Sequence, residues 1–479
     1  MNAPVSADLA ELSMTEAADA FARGELKAEA LVRACLARID AHDGKVNAVI
    51  RLDREAALEA AAAQDRARAA GVALGRLAGA PMMHKDMYYR AGKVSTCGSK
   101  IRKDFVAPST ATVLQRLDAA GAIDMGTLNM AEFAQNPTGH NAHFGDCHNP
   151  WSLPHCTGGS SSGSGAGVAA RFFTAALGSD TGGSIRLPAT ICGVTGLKGT
   201  QTRVSRAGVM PLSFSADNVG PLTRTARDAA RFMAVVAGHD PKDPTSAREP
   251  VPDYEAGLTG DIRGKRVAVL ETGFLDGADP EVVAAFEEAL RVLAAQGARI
   301  TRVAAPALMR AVNAYTAVVS RVEGATIHGN WMRARAQDYA VHLSARLFGG
   351  YAMPGHYYVE ALSRRGPLLR RFVAEVMGEA DLVATPTLKT RVPTLAETDI
   401  DADPANWDRF MAVSANTRPF NYLGLPTISI PCGFDGTTPA GGLPIGLQLA
   451  GRPFAEATVL RAADAYQRVT DWHRRSPMP

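Results

Sequence analysis

Two glycine–serine turns, set close together, constrain this chain more than any other feature. The first runs Gly158-Gly159-Ser160-Ser161-Ser162-Gly163-Ser164-Gly165, the second Asp180-Thr181-Gly182-Gly183-Ser184-Ile185-Arg186. Glycine lets backbone turn sharply and approach a ligand closely. A serine directly after two glycines adds a hydroxyl beside inward-facing amides. Amides aimed at a developing oxyanion, with a hydroxyl next to them, are what an acyl-transfer site needs. A flexible linker shares this composition. Here, however, the apolar run Val168 to Leu177 follows with no polar spacer, and the second turn arrives within one short helix length. The stretch Ala166 to Leu177 between the turns is read as a helix.

Bulk properties narrow the classes. Of 479 residues, 46% are hydrophobic and 21% charged, an ordinary globular balance. Lys plus Arg number 51 against 48 Asp plus Glu, a net charge of +3. That near balance leaves no electrostatic footprint for nucleic acid. No apolar run reaches membrane-spanning length, and residues 1–8 lack the basic and apolar regions of a signal peptide. A cytoplasmic protein is expected. The six cysteines form no C-x-x-C pair and no spacing suited to a metal, so buried free thiols and no metal are expected.

Along the chain, strands and helices alternate. Ser13 to Glu16 has capping-box spacing, and Gly24 divides two helices; a third covers 54–70. This N-terminal region reads as scaffold and as a candidate surface for self-association. Pro81 to Lys85 suggests a strand carrying the lysine at its end, and Thr112 to Ala120 a helix before a strand at 122–126. The loop Gln135 to Asn141 and the histidines 140, 143, 148 and 155 show no metal-ligand spacing. Strand, helix and strand at 266–270, 280–296 and 300–303 suggest a parallel portion of sheet. Residues 307–377 read as mostly helical, with strands near 380–386, 425–433 and 444–451 and a last helix at 456–467. The expected fold is α/β, with a large mixed sheet. No repeat or linker divides it.

Gly159 to Gly163 also fits G-x-S-x-G, the nucleophile elbow, which would make Ser161 the nucleophile. That motif needs a preceding strand, yet 149–155 holds two prolines. It also needs a histidine placed after a strand, and His328, His342, His356 and His473 are not.

Taken together, several segments resemble the amidase signature family. They are Pro81 to Asp86, the first turn, Gly178 to Arg186, Gly193 to Lys198, Gly424 to Pro426 and Gly442 to Gln448, in family order along nearly the whole chain. The resemblance implies one large domain, 1–479, with a mostly parallel twisted sheet covered by helices on both faces. Within it, 1–70 is the helical region, 71–240 the catalytic core, and 241–479 the rest of the sheet and the pocket helices. It also implies a Ser–Ser–Lys triad. Ser184 matches the nucleophile, Ser160 the bridging serine on a cis peptide, and Lys85 the base. Thr181, Gly182, Gly183 and Ser184 match the oxyanion-hole amides. Asp180 and Arg186 are expected to brace the turn. As a base, lysine must be neutral, which burial favours.

The expected substrate is an uncharged, partly apolar amide, ester or carbamate. Ala134, Gln135 and Asn136 match a substrate-facing segment. Phe133, Phe144, Tyr315, Trp331, Tyr351 and Phe420 are candidate walls or simply core, and core is the default for each aromatic taken alone. No cofactor or metal is expected, and the chain is expected as a monomer or homodimer with no nucleic-acid or membrane partner. The alternative from another class is the A subunit of a glutamine-dependent tRNA amidotransferase. There an Asp and an Arg would hold glutamine, at positions near Ser414 and Gly366 here. A catalytically dead binding protein is the remaining alternative.

Overall fold

The architecture comes from a computed structural model that describes residues 8–437 and 441–478. The leading segment, read above as lacking a signal, lies almost wholly outside the described residues.

Eleven strands form one sheet: β1 Val49–Leu52, β2 Pro81–Lys85, β3 Ile123–Leu128, β4 Ala175–Asp180, β5 Thr195–Lys198, β6 Asn218–Thr223, β7 Arg266–Leu270, β8 Arg299–Val303, β9 Leu382–Pro386, β10 Thr427–Phe434 and β11 Pro444–Gly451. Their order is β1-β3-β2-β4-β6-β5-β10-β11-β9-β7-β8. The helices are α1 Met14–Arg23, α2 Ala28–Val46, α3 Arg54–Ala69, α4 Thr112–Ala119, α5 Ser162–Ala169, α6 Arg186–Cys192, α7 Ala226–Val236, α8 Pro280–Ala295, α9 Pro306–Arg335, α10 Val341–Tyr351, α11 Gly355–Phe372, α12 Leu395–Thr398, α13 Trp407–Ala412, α14 Arg418–Tyr422 and α15 Glu456–Val469.

The capping box closes α1: Ser13 accepts from Glu16 N, and Gly24 ends the helix at φ 80°. Strand residues alternate between two cores, as a period of two requires. Met82 faces a core with Leu114, Phe232 and Tyr466, whereas Met83 faces one with Leu31, Ala57 and Ala166. Helices therefore cover both faces, and this is a single-domain α/β fold around one mixed sheet. All six cysteines are buried free thiols.

Two expectations are corrected. The sheet is not mostly parallel: β2–β3, β2–β4, β7–β8 and β7–β9 are parallel, and the other pairings are antiparallel. Alternation of strand and helix shows that elements alternate, not which strands become neighbours. The second correction concerns 166–177. The helix there starts earlier and ends at Ala169; the chain turns through Arg171 at φ 62° and 175–180 is β4. A short apolar run fits a buried strand as well as a helix.

The Gly/Ser turn is itself core. A Cβ at Gly163 would lie 2.3 Å from Ala48 O, and one at Gly167 2.3 Å from the Phe173 ring. Glycine here lets α5 press against its neighbours. Helices α10, α11 and α14 each pack against α9.

Candidate active site

Lys85 ends β2 and has no exposed surface. Its Nζ donates to Ser160 Oγ at 2.6 Å and to Ser179 Oγ at 2.9 Å. Burial pushes the amine down to about 7, against the carboxylates of Asp217 and Asp180, which pull it up. Ser160 is also fully buried, just before α5, and the Gly159–Ser160 peptide is cis.

Ser184 follows β4 and keeps 9% of its surface open. It lines a cavity of about 500 Å³ together with Thr181 and Gly182. The structure thus brings Lys85 and Ser160 into contact in the interior and puts Ser184 at the cavity. No hydrogen bond joins Ser160 to Ser184 among the described residues.

Asp180 holds the loop that carries Ser184. Its Oδ1 accepts from Gly183 N at 2.8 Å, its Oδ2 from Ile185 N at 3.2 Å, and Arg186 Nε lies 3.0 Å from Oδ2. Burial alone would raise this carboxyl; the Arg186 guanidinium overrides it and holds it at about 2. Arg186 is in turn held by Thr417 O, Gln448 and Asn421. Thr417 Oγ1 donates to Gly182 O at 2.6 Å. Asp180 and Arg186 therefore brace the turn. Because Gly183 N–H already donates to Asp180, the loop amides without an acceptor among the described residues are those of Thr181, Gly182 and Ser184.

Ala134, Gln135 and Asn136 all line the cavity. Phe133 and Ala134 sit at φ 45° and 62°, a left-handed backbone uncommon for such residues. Gln135 is 3% exposed, and neither its amide nitrogen nor its oxygen has a partner among the described residues. Asn136 Oδ1 instead accepts from Thr138 N and Gly139 N and shapes its own loop.

The candidate aromatic walls are not at the cavity, and Phe133 and Phe420 follow the default reading as core. None of Phe133, Phe144, Tyr315, Trp331, Tyr351 or Phe420 lines the cavity; Trp407 and Phe410 do. Phe133 packs on His328 at 4.5 Å, and Tyr351 donates to Ala325 O. The expected substrate is uncharged, whereas Arg321, Arg346 and Arg418 line the cavity. Ser414 lines it too, whereas Gly366 lies on α11 away from it. Arg365 donates to the carbonyls of Tyr422, Ser215 and Asn421, and Arg364 faces Glu360.

Ser161 is not placed as a nucleophile: it is fully buried and its hydroxyl donates to Ser179 O. His140, His143, His148 and His155 each have a partner within the protein. Sequence reasoning missed Ser179 and the arginines. Ser179 carried a signal, at the carboxyl end of the strand that leads to Ser184. The arginines carried none, being far apart in the chain.

Comparison with known proteins identifies the family. The family model described as Amidase matches residues 30–460. The chain is 42% identical to the A subunit of the glutamyl-tRNA(Gln) amidotransferase from Chloroflexus aggregans, over 98% of this chain and 99% of that one. A solved structure from a vestigial protein complex that bears on the origins of an s-triazine catabolic enzyme superimposes with a TM-score of 0.88. It is 33% identical and covers 95% of this chain and 98% of that chain. A peptide amidase bound to the competitive inhibitor chymostatin gives a TM-score of 0.83 at 28% identity, covering 100% of both chains. The chain belongs to the amidase signature family of hydrolases.

Proposed function

We propose that the chain hydrolyses the carbon–nitrogen bond of a small amide through an acyl-enzyme on Ser184. The observation that carries this is the 2.6 Å contact between a buried Lys85, poised near pH 7, and Ser160, in a chain whose Ser184 lines a cavity. Neutral Lys85 takes the Ser160 proton and Ser160 takes that of Ser184. Ser184 Oγ then attacks the carbonyl carbon. The tetrahedral oxyanion is received by the amides of the 181–184 loop, with Gly183 contributing only if it shares its N–H with Asp180. The proton returns through Ser160 to the leaving nitrogen and the C–N bond breaks. Water then releases the acid by the same relay. The Ser160–Ser184 link closes when substrate is bound, since such contacts are often loose in an empty site.

A fluorophosphonate probe tests this. Labelling of wild type at Ser184, with loss of labelling and turnover in Ser184→Ala, is the expected result. An unlabelled protein with no amidase activity would leave the binding-protein reading.

A second reading has its own support. The 42% identity with the amidotransferase's A subunit favours a partner-bound protein that releases ammonia from glutamine for a tRNA-linked acceptor. In that case the expectation of no nucleic-acid partner fails as well. Against it, the positions expected to hold glutamine fall near Ser414 and Gly366, neither of which is charged, although Arg364 and Arg365 adjoin the second. Glutaminase activity that appears only with a co-purifying partner would select this reading.

A further inference from the structure

Three guanidinium groups share the cavity with Ser184, and among the described residues no carboxylate is paired with them. Arg321 projects from α9, Arg346 from α10 and Arg418 from the start of α14. None forms an ion pair among the described residues. Arg418 is partly used: it donates to Ser414 O at 3.2 Å and to Met411 O at 2.5 Å, and its stem passes Gly182 of the nucleophile loop. Arg346 reaches only Ser320 Oγ, at 3.4 Å, and its buried Nε has no partner among the described residues. Arg321 makes no side-chain hydrogen bond among the described residues. The acid in the cavity, Asp401, is already held by His342, whose N and Nδ1 lie 2.8 Å from its two oxygens.

Electrostatics agree with the geometry. Burial pushes Arg346 down to about 10, and Arg418 and Arg321 push it further the same way. Arg418 is likewise lowered to about 10 by burial and by Arg321. The cavity therefore concentrates guanidinium charge next to the nucleophile. A buried charge is normally paired, and an uncompensated cluster around a ligand cavity calls for an anion. The planar fork of arginine matches a carboxylate.

On the reading of Ser184 as an amide-cleaving nucleophile, we propose that the substrate is an amide bearing a carboxylate away from the scissile bond and no ammonium beside it. Arg321 and Arg346 receive that carboxylate. An ammonium, as in glutamine, would meet three like charges and an acid already paired.

Steady-state kinetics on a matched set tests this: glutaramate, its neutral isostere 5-methylhexanamide, and glutamine. Wild type should favour glutaramate over both by at least about tenfold in kcat/KM, a modest threshold beside the roughly 10⁴-fold discrimination a site built around a polar group reaches. Arg321→Met and Arg346→Met should each cut that preference several-fold, and Arg346→Lys should restore part of it. Equal or better turnover of the isostere or of glutamine, or a preference the variants leave intact, overturns the proposal. Calorimetry of glutarate binding to Ser184→Ala separates this from the hydrolysis reading. Glutarate binding that weakens when Arg321→Met is added, with no wild-type turnover of any amide, keeps the carboxylate site and removes hydrolysis. Amide turnover without glutarate binding does the reverse. Inorganic phosphate binding more tightly than glutarate also overturns the carboxylate assignment.

Discussion

A lysine with no exposed surface and, among the described residues, no ion pair has a proton it holds weakly. Lys85 lets go near pH 7 when folded but near 10.5 when unfolded. The sign follows. Between those values the unfolded chain binds the extra proton, so this residue's contribution to stability improves as pH rises from about 7 towards 10.5. Its cost is greatest at and below pH 7. At pH 7.5 that cost is roughly 4 kcal/mol, at 1.36 kcal/mol per unit. Lys85→Met removes it but orphans the Ser160 and Ser179 hydroxyls, at about 1–3 kcal/mol. Desolvation wins, so Lys85→Met is expected to be inactive yet about 2 kcal/mol more stable at pH 7.5, by urea unfolding. Activity of the wild type should fall on the acid side with a midpoint near 7, as Lys85 gains its proton. Ser179→Ala removes an acceptor that favours the charged amine. Its acid limb in a kcat/KM profile should therefore move to lower pH, with kcat reduced by about tenfold as Lys85 loses its second anchor.

At the scale of elements, the second Gly/Ser turn works because it is clamped from below. Asp180 and Arg186 are both fully buried and serve each other. Arg186→Ala would leave Asp180 an unpaired buried charge. The expected loss is about 3–5 kcal/mol of unfolding free energy, read by denaturant titration. Gly183 sits at φ 135°, and a Cβ there would lie 2.2 Å from Thr417 Oγ1. Thr417 also holds Gly182 O, so it cannot move aside without releasing the loop. Gly183→Ala should lower kcat by about two orders of magnitude, the scale of losing an oxyanion donor, while KM changes less. A kcat within a few-fold of wild type would mean that the loop amides are not what holds the oxyanion.

For the whole molecule, the N-terminal helices are part of the core. Phe21, Leu31, Val32 and Leu36 are buried, and Thr15 donates to Asp228 on α7. Their apolar contribution, about 1.5–3 kcal/mol per large side chain, rivals the 5–15 kcal/mol that hold an average domain together. A chain without residues 1–46 should therefore lose cooperative unfolding and soluble yield rather than become a smaller active enzyme. The sequence by itself determined the alternation of strand and helix, the two turns and the capping box at Ser13, while the candidacy of Lys85, Ser160 and Ser184 came with the family resemblance that its motif order carries. Those are local signals: spacing, glycine where backbone must approach backbone, and motif order. Only the tertiary structure decided the strand directions, because a helix between two strands does not say where they lie in the sheet. It alone placed Ser179 against Lys85, and it alone gathered Arg321, Arg346 and Arg418 from separate helices around one cavity. Charge in a pocket depends on which distant side chains meet, and no periodicity along a chain encodes that.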